Sequence, residues 1–134
     1  MERIPILKLG AFLLVTIQID LYDRLALHLE EDLVAMVEKK SVKGVLIDIS
    51  AVGIVDSFMG RILGNIGSMC KLLDAETVVV GMQPAVAITL VELGLPLRGV
   101  YTALNVDKGM ELLRSKIEIE DIAGDDHDDD TSPN

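Results

Sequence analysis

Strands alternating with amphipathic helices, in the order β-β-α-β-α-β-α-β-α, predict an α/β fold with a mixed, mainly parallel sheet. Three observations carry that prediction. Short apolar runs rich in β-branched residues recur, as in Val45-Leu46-Ile47-Asp48-Ile49 and Thr77-Val78-Val79-Val80. Such runs suit strands covered on both faces. Between them, apolar residues repeat every three to four positions, the period of a helix with one buried side. Gly10, Gly44, Pro84 and Gly94 mark the joins.

The elements follow in order. Ile4 to Leu9 and Ala11 to Ile17 read as two strands, with Gly10 between them as a tight hairpin turn. Tyr22 to Lys40 reads as a helix. Leu25, Leu29, Leu33, Met36 and Val37 form its apolar stripe, and Arg24, Glu31, Glu38 and Lys39 lie opposite. Gly44 closes the next turn, and Val45 to Ile49 is the third strand. Phe58 to Leu73 is helical again, with Phe58, Ile62, Ile66, Met69 and Leu73 on the buried side. Ser57, Arg61, Gly64, Ser68 and Lys71 fall on the other side. Thr77 to Val80 is a buried strand. Pro84 to Leu93 is a short apolar helix with proline in its first turn and Gly94 at its end. Val100 to Ala103 is a weak strand, and Asp107 to Lys116 a last helix capped by Asn105 or Asp107. Right-handed crossovers would join the parallel strands.

Composition narrows the function. The chain has 134 residues, enough for one domain with an aliphatic core, since it holds two Tyr, two Phe and no Trp. Its net charge is −10. Eight acids without a base (Glu118, Glu120, Asp121, Asp125, Asp126, Asp128, Asp129 and Asp130) account for most of it, leaving 14 acids against 12 bases, or −2. Residues 1–117 are therefore expected to form the domain and 118–134 an acidic, disordered tail. A nearly neutral body with few aromatics does not suit nucleic acid. Cys70 is the sole cysteine, so no intrachain disulfide can form, which fits a cytoplasmic protein. Lys8 and Gly10 break the apolar N-terminal stretch. No signal peptide or membrane span is expected.

The stretch Ile47 to Phe58 is the candidate site: a buried strand, a short loop, then a helix opening at Asp56-Ser57. The plain reading of Ser57 is a helix cap. The functional reading is a phosphorylated serine, because free N–H groups and the positive end of the helix dipole meet there. Arg61, one turn on, would pair with the phosphate, whereas Asp56 would repel it. Gly60, Gly64 and Gly67 allow two readings, close packing of the helix on its own sheet or a bare face for a partner. Asp48 is placed like the phosphoaccepting aspartate of receiver domains, but no acids follow the first strand to hold Mg²⁺. The Asp125–Asp130 run around His127 reads as a solvated tail, His28 as a lone helical histidine and Cys70 as a buried thiol. No nucleophile–base set assembles. The chain is expected to be non-catalytic, with no cofactor and no metal.

Around Asp56-Ser57 the sequence resembles the STAS domain family, the anti-anti-sigma-factor fold. The likeness spans about residues 3–117. It is carried by Ile4-Pro5-Ile6-Leu7-Lys8-Leu9, by Val45-Leu46-Ile47-Asp48 running into Val55-Asp56-Ser57-Phe58, and by Gly81 to Gly94. The first and last segments are most similar to the small stressosome scaffolds of the RsbS type. The resemblance implies a mixed sheet with helices packed on one side. It implies assembly with RsbR-type STAS paralogues into a large particle, and sequestration of an RsbT-type serine/threonine kinase. That kinase would phosphorylate Ser57 under stress and leave, through a surface formed by Asp56, Ser57, Phe58 and Arg61. A phosphatase would reset the phosphoserine. A simpler anti-anti-sigma factor, binding an anti-sigma kinase to free a sigma factor, is the alternative. An enzyme or nucleotide-binding domain is a third. A homodimer stays open, and the acidic extension is longer than the family's usual end.

Overall fold

The chain folds as five strands and four helices in the expected order. The structure, a computed structural model, describes residues 3–18, 21–95 and 97–130, with residues 119–130 by their backbone only. β1 (Ile6–Leu9) and β2 (Phe12–Thr16) form an antiparallel hairpin in which Leu9 faces Phe12. Gly10 turns between them at φ +62°, where a side chain would be strained. Then come α1 (Asp23–Lys40), β3 (Gly44–Asp48), α2 (Ser57–Leu72), β4 (Glu76–Val80), α3 (Pro84–Glu92), β5 (Val100–Ala103) and α4 (Val106–Asp130). The sheet order is β1-β2-β3-β4-β5, parallel from β2 onward.

This order explains where the helices lie. Each crossover from β2 to β5 adds the next strand on the same side, so crossovers of one hand leave their helices on one face. Leu25, Leu29 and Leu33 of α1, Leu63 and Ile66 of α2, and Leu90 of α3 share one core with Val15, Val45, Ile47 and Val79 of the sheet. Alternate strand residues point the other way. Phe12, Leu46, Val78 and Val80 form a second core with Leu113 of α4. The expectation of helices packed on one side therefore needs correction: three cover one face and α4 covers the other. Every residue of β4 and all but the last of β3 are buried, so both faces of these strands are covered. Gly109 lets α4 lie directly on the sheet. A Cβ there would stand 2.6 Å from Leu46 Cδ2 and 2.7 Å from Val80 Cγ1.

Further details refine or correct the expectation. α4 does not stop at Lys116 but runs through the acidic segment to Asp130. Extending a formed helix gains a hydrogen bond per residue without a new nucleus, and no proline intervenes before Pro133. Asn105, of the two candidates, caps α4: its Oδ1 accepts from the Lys108 N–H at 2.9 Å. On α2 the buried stripe is rotated to Met59, Ile62, Leu63, Ile66 and Cys70, with Phe58 and Met69 half-buried. Leu73 lies beyond the helix as its C-cap. Gly44 is the first residue of β3, and Ser41 ends α1 in the left-handed region at φ +52°.

Candidate functional site at the start of the second helix

Ser57 stands where a parallel strand hands over to a helix, at the carboxyl end of the sheet. Open α/β sheets bind ligands and partners at that end, because loops and helix N-termini converge there. The loop from Ile49 to Asp56 begins with an ordered turn. The Ile49 N–H donates to Val80 O, and the Val52 N–H to Ile49 O. Asp48 Oδ1 accepts from the Ser50 N–H at 2.9 Å, an aspartate side chain closing its own turn. Ile54 then stands 89 % exposed before Val55 returns to the core.

Asp56, and not Ser57, is the N-cap of α2. Its backbone is extended and its Oδ1 accepts from the Met59 N–H at 2.9 Å. The Gly60 N–H donates to Asp56 O at 3.1 Å. Ser57 is the first helical residue, half-buried, with no side-chain hydrogen bond among the described residues. The aspartate has the extended backbone that a cap requires, and it takes the task from the serine. Of the four N–H groups that a helix start leaves without a backbone acceptor, the cap takes that of Met59, and those of Ser57 and Phe58 in the first turn stay open. Arg61 lies exposed one turn along and makes no salt bridge among the described residues. Phe58 is half-buried against the main core and anchors the turn.

The two readings of the α2 glycines divide by position. A Cβ on Gly60 would meet Leu90 and Leu95 at 3.0 Å, and one on Gly67 would meet Val100 at 2.3 Å. Both serve internal packing. A Cβ on Gly64 would meet nothing within 4 Å. Gly64 thus leaves bare backbone on the same side as Ser57 and Arg61 for no internal reason.

Among the described residues the remaining candidates do not assemble a catalytic set. Asp48 spends a carboxylate oxygen on the turn described above. A recess of about 320 Å³ beside it is lined by Ser50, Gly81, Asn105 and Asp107 among others. Its charged members, Asp48 and Asp107, are both acidic and would repel a phosphate. A larger cleft of about 480 Å³ between α3 and β5 is lined by Met82, Leu90, Val91, Leu95 and Leu97, with Thr102 as its one polar side chain. Cys70 is buried, and burial pushes its thiol pKa up, away from the reactive thiolate. No three His, Cys, Asp or Glu side chains stand together as a metal site among the described residues. None of the described helices is long and apolar enough to cross a membrane. The side chains of Asp125 to Asp130 lie outside the described residues, as do Thr131 and Ser132.

Sequence reasoning missed Gln83. It precedes Pro84 at the N-cap position of α3, and its side chain makes no cap hydrogen bond there. Its Nε2 donates instead to Ser50 O, 33 residues away, at 2.9 Å. No local pattern announces such a contact.

Comparison with known proteins agrees with this geometry. The STAS domain model matches residues 3–108. A variant of RsbS from Moorella thermoacetica, carrying a serine-to-glutamate substitution, is 40% identical with a TM-score of 0.76. The match covers 86% of this chain and 97% of that one. A chain from a structure titled as the molecular architecture of the stressosome, a signal integration and transduction hub, is 42% identical with a TM-score of 0.75, over 84% and 98% of the two chains. The RsbT co-antagonist protein RsbRA of Bacillus subtilis (strain 168) is 31% identical over 86 residues. That match takes in 64% of this chain and spans only 31% of the curated relative. With the fold and the family model in agreement over most of its length, the chain belongs to the STAS domain family.

Proposed function

We propose that this protein is a non-catalytic stressosome scaffold that holds an RsbT-type serine/threonine kinase and releases it once Ser57 is phosphorylated. The observation that carries the proposal is the division of labour at the start of α2. Asp56 makes the cap, so the Ser57 hydroxyl is uncommitted at the positive end of a helix dipole. The likeness to RsbS, to a stressosome chain and to RsbRA supports assembly with RsbR-type paralogues in the cytoplasm. In this reading residues 1–117 are the working domain and the acidic segment from Glu118 an appendage.

A phosphoryl group on Ser57 would bring a charge of about −1.5 to −2 beside the carboxylate of Asp56. The unpaired N–H groups of Ser57 and Phe58, together with Arg61, favour it, so the domain stays folded. A kinase surface fitted to a neutral serine would then meet two adjacent anions. Burying unpaired like charges in an interface costs far more than leaving them in water. Release is the expected consequence, and a phosphatase would reverse it.

The test is intact-mass measurement and site mapping after incubation with the RsbT-type kinase and ATP. One phosphoryl group on Ser57 is expected. Ser57→Ala should fold normally and retain the kinase, whereas Ser57→Asp should bind it weakly. Phosphate only at Thr131 or Ser132, or equal kinase binding by the two variants, would overturn the switch. Copurification with a single anti-sigma kinase, rather than with paralogous scaffolds, would point to the simpler anti-anti-sigma factor.

A further inference from the structure

We propose that Gln83 is a positioning residue for Ser57: its side-chain amide braces the loop that delivers the serine to a kinase. The inference deepens the reading of Ser57 as the switch and rests on it. Ser50 is the third residue from the start of that loop's root at Asp48, and side chains hold both of its backbone groups. Its N–H donates to Asp48 Oδ1, and its carbonyl accepts from Gln83 Nε2, each at 2.9 Å. A carbonyl can only accept, so the amide must present its NH2 group here. The carbonyl end of the same amide then faces the loop further on, where a Cβ on Gly53 would stand 3.7 Å from Oε1.

The brace comes from a different part of the chain than the loop. Gln83 sits between β4 and α3, and Gly81 brings it close. At φ +74°, Gly81 passes so near the loop that a Cβ would lie 2.8 Å from Ser50 Cβ and 3.2 Å from Asp48 Oδ1. That conformation and that clearance both require glycine. The loop is thus held at its root by Asp48 and Gln83 and at its far end by the Asp56 cap. Only the exposed stretch through Gly53 and Ile54 spans the interval. Gln83 leaves the start of its own helix without a side-chain cap to make this contact.

Phosphoryl transfer depends on holding the acceptor oxygen in line with the donor, and a displacement of about 1 Å slows such a step by orders of magnitude. Loosening the root should therefore lower kcat more than it raises KM. The test compares Gln83→Leu, which has no donor, Gln83→Glu, which sets an oxygen against an oxygen, and Gln83→Lys, which keeps a donor of similar reach. Each full-length variant is assayed for Ser57 phosphorylation by the RsbT-type kinase and for backbone hydrogen exchange. In Gln83→Leu and Gln83→Glu, the hydrogen-bonded loop amides of Ser50 and Val52 should exchange about tenfold faster, the scale of one lost hydrogen bond. Amides of α1 and the sheet should be unchanged. In the same two variants kcat should fall about tenfold with KM within about twofold, and Gln83→Lys should recover most of the loss.

Wild-type loop exchange and wild-type kcat in Gln83→Leu would overturn the proposal. So would a loss confined to KM, or one that Gln83→Lys fails to rescue. If the unaltered protein accepts no phosphate at Ser57, the switch reading itself has failed. The exchange data alone then decide whether Gln83 braces the loop.

Discussion

The two ends of the parallel sheet use their polar side chains differently. At the amino end, where β3 and β4 begin, charges pair with charges. Lys43 meets Asp74 at 2.7 Å, and Lys71 meets Glu76, whose side chain is only 5% exposed. At the carboxyl end the side-chain hydrogen bonds go to backbone, with the exposed Lys108–Glu111 pair at 3.6 Å beside them. Asp48 and Gln83 hold Ser50, Asp56 holds the Met59 N–H, and Asn105 holds the Lys108 N–H. The first pattern ties the end of one element to the start of another. The second shapes turns and leaves the Ser57 hydroxyl and Arg61 available to a partner.

The largest effect should come from breaking the amino end. Lys71→Met strands the carboxylate of Glu76 in a buried position. Chemical denaturation should show a loss of about 2 kcal/mol, below the usual 3–5 for a fully buried pair because Lys71 itself is half exposed. Adding Glu76→Gln should restore much of it, and Ser57 phosphorylation should be unaffected in both. A change in phosphorylation would mean that the two ends are not independent.

A smaller effect is expected at the carboxyl end. Asp56→Ala removes the α2 cap and should cost about 1 kcal/mol, whereas Asp56→Asn caps almost as well and should cost little. Both variants remove the same charge beside Ser57. A difference between them in phosphorylation rate, measured with the same kinase, would therefore report fraying of the helix start. Equal stability of the two would show that the hydrogen bond to Met59 contributes nothing.

The smallest effect concerns pH. The hydrogen bond from Lys43, reinforced by its charge, holds the Asp74 carboxyl below its ordinary value of 3.8. A carboxyl lowered on folding adds stability above its unfolded pKa and loses it as pH falls through the folded value. Asp74 is largely exposed, so solvent screens most of the gain. Asp74→Asn should slightly flatten the decline in stability below about pH 4. An unchanged acid limb would show that the pair is energetically silent.

Much of the fold was legible because its signals are local. The β-branched runs, the stripe Leu25, Leu29, Leu33 and Val37, and Pro84 at a helix start each declare an element within a few residues. The same runs indicated cover on both faces of β3, and α4 supplies it, against the one-sided packing that the family resemblance implied. The exposure of lone apolar residues was not legible. Leu72 is 86% exposed and Ile88 59%, whereas Leu97 is half-buried, although nothing nearby in sequence separates them. At the site, Asp56, Ser57 and Arg61 stood out because helix starts have a strong local signature. Which of Asp56 and Ser57 caps the helix depends on backbone angles that adjacent residues do not specify.

The sequence by itself determined the order of elements, the aliphatic core and the place of a serine at a strand-to-helix junction, since periodicity and capping preferences act over one or two turns. The tertiary structure alone decided that Gly60 and Gly67 are packing positions while Gly64 is open, that α4 closes the second face, and that Gln83 reaches the loop before Ser57. Those facts depend on atoms brought together from positions tens of residues apart, and only the packed sheet sets the distances between them.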